Sequence, residues 1–276
     1  MRISMSLVRW TLKTAVLPIL LLAAACVSHP HPSPRSCCDV EWGYEDPEHW
    51  ADLTPCYTEC RTGGEQSPID LILADPRRET LPEVDFSSYG TVPGLSARYN
   101  GHTIRIDIPK TIPDSLASLR LGGVTYRVDQ FHFHADSEHT KNRLRQRMEI
   151  HLVNISPGGR VVAVGIFVKA GPSNPELAKI WRNLPTPSDP VREVGDINLS
   201  GLLPRGRSSY RYSGSLTNPV CNQGFQWIVY DEPIELSDGD IVRFATLFSG
   251  SHFPQGNRRP VQPLNGRVVL TDVPRR

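Results

Sequence analysis

From Ala97 onward the chain repeatedly alternates apolar and polar positions. Ile104, Ile106 and Ile108 are interleaved with Thr103, Arg105 and Asp107. That spacing gives one apolar and one polar face and predicts a half-buried strand. Runs of similar character predict further strands at Val124 to His134, Met148 to Ile155, Val161 to Lys169, Phe225 to Tyr230, Ile241 to Leu247 and Arg267 to Thr271. One helix stands out, from Pro175 to Leu184. Asn174 suits its N-cap, Pro175 its first turn, and Leu177, Ile180, Trp181 and Leu184 recur at helical spacing. It is expected to pack on the sheet and take no part in chemistry. No internal repeat is present, and strands dominate.

Composition adds a size and a compartment. The 276 residues, 39% hydrophobic and 21% charged, suffice for one large domain with a substantial core. Pro at 25 and Gly at 21 agree with many short strands joined by turns. Lys plus Arg number 30 against 29 for Asp plus Glu, so charge gives no reason to expect nucleic acid or an anionic membrane as partner. At the N-terminus, Arg2, Arg9 and Lys13 precede an apolar run from Ala15 to Ala25 that ends in small residues. Residues 1–25 therefore read as a secretory signal; the run is too short for a membrane span and contains Pro18. Cys26 directly follows Ala23-Ala24-Ala25, a place where exported bacterial chains can carry lipid, although Ala stands where that motif usually has Leu. Simple cleavage is preferred, with a lipid anchor at Cys26 as the second reading. Residues 26–40, rich in Pro, Ser and His, read as a flexible leader, and 41–276 as the folded domain. The expected location is periplasmic or extracellular. Six cysteines in such a chain favour disulfides over a zinc cluster of Cys37, Cys38, Cys56 and Cys60.

The candidate chemistry lies on two of the predicted strands. In Gln130-Phe131-His132-Phe133-His134 the side chains two apart share a face, so Gln130, His132 and His134 line one side and the phenylalanines the other. In Met148-Glu149-Ile150-His151-Leu152-Val153, Glu149, His151 and Val153 share one face. Side by side, the two strands present three imidazoles to one point. Three neutral nitrogen ligands with an open fourth position suit catalytic zinc, whereas structural zinc usually takes four protein ligands. Gln130 and Glu149 sit where they can accept a ligand's other N–H and fix its tautomer. A lone histidine is more often a core or surface residue, and this spacing names no reaction.

From Trp42 to Arg267 the chain resembles the α-class carbonic anhydrases. The matching stretches are Trp42-Gly43-Tyr44, Pro47-Glu48-His49-Trp50, Gln66-Ser67-Pro68-Ile69-Asp70 and Tyr99-Asn100-Gly101-His102. They continue with the two histidine strands, Ser137-Glu138-His139-Thr140, Gly214-Ser215-Leu216-Thr217, Pro219, Trp227, and Arg259-Pro260-Val261-Gln262-Pro263-Leu264-Asn265-Gly266-Arg267. The resemblance implies a mainly β single domain: a large twisted, mostly antiparallel central sheet with short peripheral helices. It also implies reversible hydration of carbon dioxide to bicarbonate and a proton by zinc-bound hydroxide, with His132, His134 and His151 as ligands.

By the same resemblance Thr217 accepts the hydroxide's hydrogen and passes its own to Glu138. Val153, Leu216 and Trp227, with Ala163, form the carbon dioxide pocket. His102 is the proton shuttle, Tyr44 and Asn100 are polar walls that order relay waters, and Cys60 and Cys221 are bridged. One further pair among Cys37, Cys38 and Cys56 is left open. The chain departs from the family pattern at Asn218, which lines the substrate site where Thr or His is usual, and at Ala135, which replaces Trp. The basic run from Lys141 to Arg147 reads as a solvated loop, and His139 and His252 as structural or surface residues. A non-catalytic binding relative is the alternative; such relatives typically lose zinc ligands, and all three are present. A zinc esterase of another type would need a His-Glu-x-x-His helix, which this chain lacks.

Overall fold

A computed structural model describes residues 40–274. The stretch read as a secretory signal, Cys26, Cys37, Cys38 and all of the expected leader except Val40 lie outside the described residues. Within them, eleven strands form one continuous sheet. In chain order these are β1 (Arg77–Arg78), β2 (Thr91–Tyr99), β3 (Ile104–Asp107), β4 (Ser118–Leu121), β5 (Val124–His134) and β6 (Met148–Ile155), then β7 (Val161–Ala170), β8 (Val191–Asn198), β9 (Ser209–Ser215), β10 (Gln223–Leu236) and β11 (Leu270–Thr271). They are ordered β1-β11-β9-β10-β7-β6-β5-β3-β2-β8, with β4 on β5. The pairs β1/β11 and β7/β10 are parallel and the remaining pairings antiparallel, which agrees with the expected architecture.

Among the described residues, four short α-helices lie at the periphery: α1 (Trp50–Leu53), α2 (Glu59–Thr62), α3 (Pro175–Arg182) and α4 (Asp238–Leu247). The last two cover one face of the central strands. Phe131, Phe133, Met148, Ile150 and Leu152 point to that face and pack with Trp181 of α3 and Phe244 of α4. Ring centroids of Phe133 and Trp181 are 4.9 Å apart. Each such side chain, fully buried, contributes roughly 2–3 kcal/mol by removal of apolar surface from water. The opposite face carries Ala163, Phe167, Tyr212 and Trp227 in a second cluster. With both faces covered, the ends of β5, β6 and β7 are buried almost throughout.

Several sequence expectations require correction. Ile241 to Leu247 is not a strand but most of α4. The Ser237 hydroxyl accepts from Asp240 N, capping the helix, and Asp238 and Asp240 lie in its first turn, where a carboxylate favours the helix dipole. Ile241 and Phe244, three apart, are buried, while Val242 is exposed. The run therefore has helical period despite its β-branched residues. Of Arg267 to Thr271 only Leu270–Thr271 is strand, because the Arg267 guanidinium binds Ser213 O and Gln66 O and ties down the preceding turn. The expected helix ends at Arg182, and β10 runs well beyond Phe225 to Tyr230 at both ends. β4, β8 and β9 also escape the apolar pattern; β8 is an edge strand with mainly exposed residues, and β9 is rich in Ser, Tyr and Arg. The basic connection is a solvated loop over Asn142 to Leu144 and at Arg147, as read, but Lys141, Arg145 and Gln146 are half-buried. Lys141 Nζ donates to Asp231 O at 2.6 Å, Arg147 pairs with Asp238 at 2.6 Å, and Arg145 reaches two main-chain carbonyls.

Candidate active site

The register of the sheet brings the histidines together. His132 faces His151 across β5 and β6, Glu149 lies opposite His134, and Val153 opposite Gln130. One nitrogen of each ring is taken by an acceptor: His132 Nδ1 lies 2.8 Å from Gln130 Oε1, His134 Nδ1 2.6 Å from Asn257 O, and His151 Nε2 3.0 Å from Glu149 Oε1. Donation to these oxygens leaves His132 Nε2, His134 Nε2 and His151 Nδ1 as lone pairs. The three residues offer ligand atoms within 4.8 Å of one another. Burial, reinforced by the neighbouring rings, pushes His132 well below the ordinary histidine range. Burial also lowers His134 against the opposing charge of Glu138. Both rings are therefore held neutral, as metal ligation requires. His134 Nε2 is buried without a hydrogen-bond partner, an expense that a bound cation would remove. Three imidazole nitrogens converging without a thiolate fit zinc with an open coordination position.

A second cluster, His139, Glu149 and His151, has similar spacing but different bonding. Glu149 is fully buried; its Oε2 accepts from the main-chain N of Glu138 and His139 at 2.9 and 2.8 Å, and its Oε1 faces His139 Nδ1 at 2.7 Å. His139 Nε2 in turn lies 2.6 Å from the Tyr212 hydroxyl. Burial alone would raise the Glu149 carboxyl, but the His139 and His151 rings outweigh it and hold the group well below the usual carboxylate range. These atoms satisfy one another and form a hydrogen-bonded network. Close approach is possible because Gly165 faces His151 across β7; a Cβ there would lie 2.9 Å from Glu149 Oε1.

Glu138 is fully buried beside the trio. Its Oε1 accepts from Arg259 N at 2.7 Å, while Oε2 has no hydrogen-bond partner and lies 3.5 Å from His134 Nε2. Thr217 is buried, on a loop held by donation from Cys221 N to Asn218 O at 2.8 Å. Cys60 and Cys221 are disulfide-bonded, as the resemblance implied. Register also aligns the apolar wall, because Ala163 is the cross-strand partner of both Val153 and Trp227. Leu216 and Asn218 are half-buried on the Thr217 loop, and Ala135 is buried with its N donating to Asn257 Oδ1 at 3.0 Å.

His102 stacks on Trp42 with centroids 3.8 Å apart, and its Nδ1 is buried without a partner. Burial lowers its pKa, and the carboxylates of Glu41 and Glu45 partly oppose the shift. Asn100 is exposed, and its Oδ1 accepts from the main-chain N of His102 and Thr103 at 3.0 and 2.8 Å, so it shapes the turn that presents His102. Tyr44 is buried among Trp42, Trp50 and Phe253; burial first and then Glu138 raise its hydroxyl pKa, opposed by Arg259. His252 is a surface residue 2.6 Å from Glu45 and His139 a structural one in the buried network, each as read.

Sequence reasoning missed Asn257, Arg259 and Tyr212. Asn257 orients His134 through its carbonyl and donates from Nδ2 to His102 O and Phe133 O at 3.0 and 2.9 Å. Arg259 links Glu138 to Gln66 Oε1 and Cys60 O, each at 2.7 Å. Only the Arg-Pro-Val-Gln-Pro stretch signalled that neighbourhood.

Comparison with known proteins agrees with this geometry. A family model for eukaryotic-type carbonic anhydrase matches residues 45–273. A carbonic anhydrase of Pectobacterium atrosepticum is 34% identical over 257 residues, covering 91% of this chain and 97% of the relative. A carbonic anhydrase from a Nostoc species is 37% identical over 256 residues, 91% of each chain. Among solved structures, the α-carbonic anhydrase of Thermovibrio ammonificans, in complex with the inhibitor sulfanilamide, superposes with a TM-score of 0.75 at 39% identity. It covers 84% of this chain and 99% of that one.

Proposed function

The chain belongs to the eukaryotic-type carbonic anhydrase family, and from that premise we propose that it reversibly hydrates carbon dioxide to bicarbonate and a proton at a zinc site held by His132, His134 and His151. The observation that carries the reading is the set of three ring nitrogens left free when Gln130, Asn257 and Glu149 bind the others. When bound, zinc supplies the positive charge that makes a water-derived nucleophile available near neutral pH.

The remaining work falls to side chains. Gln130, Asn257 and Glu149 fix tautomers and ring orientation, so the ligand atoms need not reorganise. Glu138 Oε2 is buried and without a hydrogen-bond partner, an acceptor free to take the Thr217 hydroxyl hydrogen, so that the Thr217 oxygen can in turn orient the attacking group. Val153, Ala163, Leu216 and Trp227 give an apolar, linear substrate a dry surface where water competes poorly. Asn218, half-buried next to Thr217 on the same loop, brings an amide to the site and sets its preference among anions and inhibitors. His102 relays the proton to buffer; its lowered pKa keeps the ring unprotonated and ready to accept. Tyr44 and Asn100 border that route. The disulfide suits an oxidising compartment, and export under the N-terminal signal agrees with it. His134→Ala tests the site: bound zinc and carbon dioxide hydration are expected to disappear together, and a zinc-free variant with parental turnover would overturn the assignment.

A further inference from the structure

The peptide that carries Glu138 is held from β6 and from the segment leading into it. Glu149 Oε2 binds the main-chain N of Glu138 and His139 at 2.9 and 2.8 Å. Ser137 N donates to Gln146 O at 3.0 Å, Gln146 N donates to Ser137 Oγ at 2.9 Å, and Ser137 Oγ donates to His139 O at 2.7 Å. The carbonyls of Ser137 and Glu138 remain, and one atom serves both: Arg145 Nη1 donates to Ser137 O and, at 2.9 Å, to Glu138 O. A cation shared by two adjacent carbonyls fixes the plane of the peptide between them, and charge assistance makes each bond stronger than a neutral one.

The arginine is itself anchored. Lys141 and Leu144 form a main-chain bridge, and Asp70 accepts from the main-chain N of Asn142 at 3.1 Å and of Arg143. The stem of Arg145 therefore starts from a fixed backbone. Burial and Arg258 disfavour its charge, while Glu138, Asp136 and Glu149 favour it. Arg145 itself bonds only to these two carbonyls and not to the ligand rings.

We propose that Arg145 is a positioning residue for turnover: it holds the 137–138 peptide so that Glu138 keeps Oε1 on Arg259 N and Oε2 beside the zinc-binding histidines. The inference rests on the role given to Glu138 above. Without Arg145 the peptide plane rotates, the carboxylate swings with it, and Thr217 loses its acceptor. Displacements on the order of 1 Å in such groups cost up to about a hundredfold in rate.

The test is a mutant cycle on the full, zinc-loaded chain: Arg145→Met, Arg145→Lys, Glu138→Gln and the Arg145→Met/Glu138→Gln double variant. Stopped-flow hydration, bound zinc and Tm are read on each. Arg145→Met is expected to keep its zinc and lose about 10-fold in kcat with KM little changed. Arg145→Lys, which returns one donor, recovers most of the loss, and the double variant is no slower than Glu138→Gln alone. A kcat for Arg145→Met within twofold of the parent overturns the inference. So do losses that multiply in the double variant, because they mark a general brace unconnected to Glu138. Parental kcat in Glu138→Gln removes the role of Glu138 itself, and the proposal with it. If Arg145→Met fails to fold, Arg145→Gln, whose amide still donates to one carbonyl, replaces it in the same cycle.

Discussion

Glu149→Gln replaces a carboxylate oxygen with an amide nitrogen at a position where four donors converge. The native group accepts from Glu138 N, His139 N, His139 Nδ1 and His151 Nε2 at 2.9, 2.8, 2.7 and 3.0 Å. A glutamine has one acceptor and one two-hydrogen donor. With its nitrogen toward the two main-chain N–H groups, both are left unsatisfied in a fully buried site. With its nitrogen toward the rings, His151 must accept at Nε2 and carry its proton on Nδ1, the atom needed for the metal. Each unsatisfied buried donor costs about 1–3 kcal/mol, so with two of them the metal-free protein should lose about 2–6 kcal/mol. Zinc affinity should fall about 10- to 100-fold, the usual consequence of losing a partner that orients a ligand. Urea unfolding of the metal-free chain reads the first quantity and competition with a chelator the second. Stability within about 1 kcal/mol of the parent together with unchanged zinc affinity would refute the reasoning.

Two further predictions concern the surroundings. Asp70 accepts from Ile72 N, Leu73 N, Thr140 Oγ1, Asn142 N and Arg143 N, joining the segment after Ile69 to the loop that bears Arg145. Burial raises its pKa, but these bonds outweigh it and leave the carboxyl below its ordinary value. Its contribution is thus complete above about pH 4 and is lost as pH falls through the depressed folded value. Asp70→Asn should cost about 2–3 kcal/mol at neutral pH and progressively less in acid; a deficit independent of pH would contradict the assignment. His102→Ala should lower kcat about 10-fold or more in dilute buffer and be rescued by imidazole. In the parent, the His102 ring should titrate by NMR below about 6.5, because burial disfavours its charged form. Equal turnover at every buffer concentration would remove the shuttle, and a midpoint above that value would contradict the effect assigned to burial.

The parts of the site built from strands were the most legible. Period-two alternation fixes which side of β5 and β6 each residue faces, so the convergence of His132, His134 and His151 with Gln130 and Glu149 follows from local geometry. β5 and β6 have the bounds read from their apolar pattern. Long-range partners leave no such trace. Asn257 reaches His134 from 123 residues away, and Tyr212 reaches His139 from 73; the Arg-Pro-Val-Gln-Pro stretch points only to the neighbourhood of the first, and neither contact is marked. The strand expected at Ile241 to Leu247 shows how capping by Ser237 and burial of Ile241 and Phe244 prevail over β-branched composition. The basic run before β6 is exposed over Asn142 to Leu144 and at Arg147, as its charge suggests, but charge along a sequence says nothing of acceptors elsewhere, such as Asp231, Asp238 and the carbonyls of Ser137 and Glu138.

The central claim is that three histidines hold one zinc ion on which carbon dioxide hydration depends. Stopped-flow hydration by metal-free protein, titrated with zinc while bound metal is quantified, addresses it directly. The account predicts no hydration above the buffer rate before zinc is added, a linear rise with bound metal, and a plateau at one ion per chain. Full activity without metal, or a chain saturated with zinc that hydrates no carbon dioxide, would contradict it.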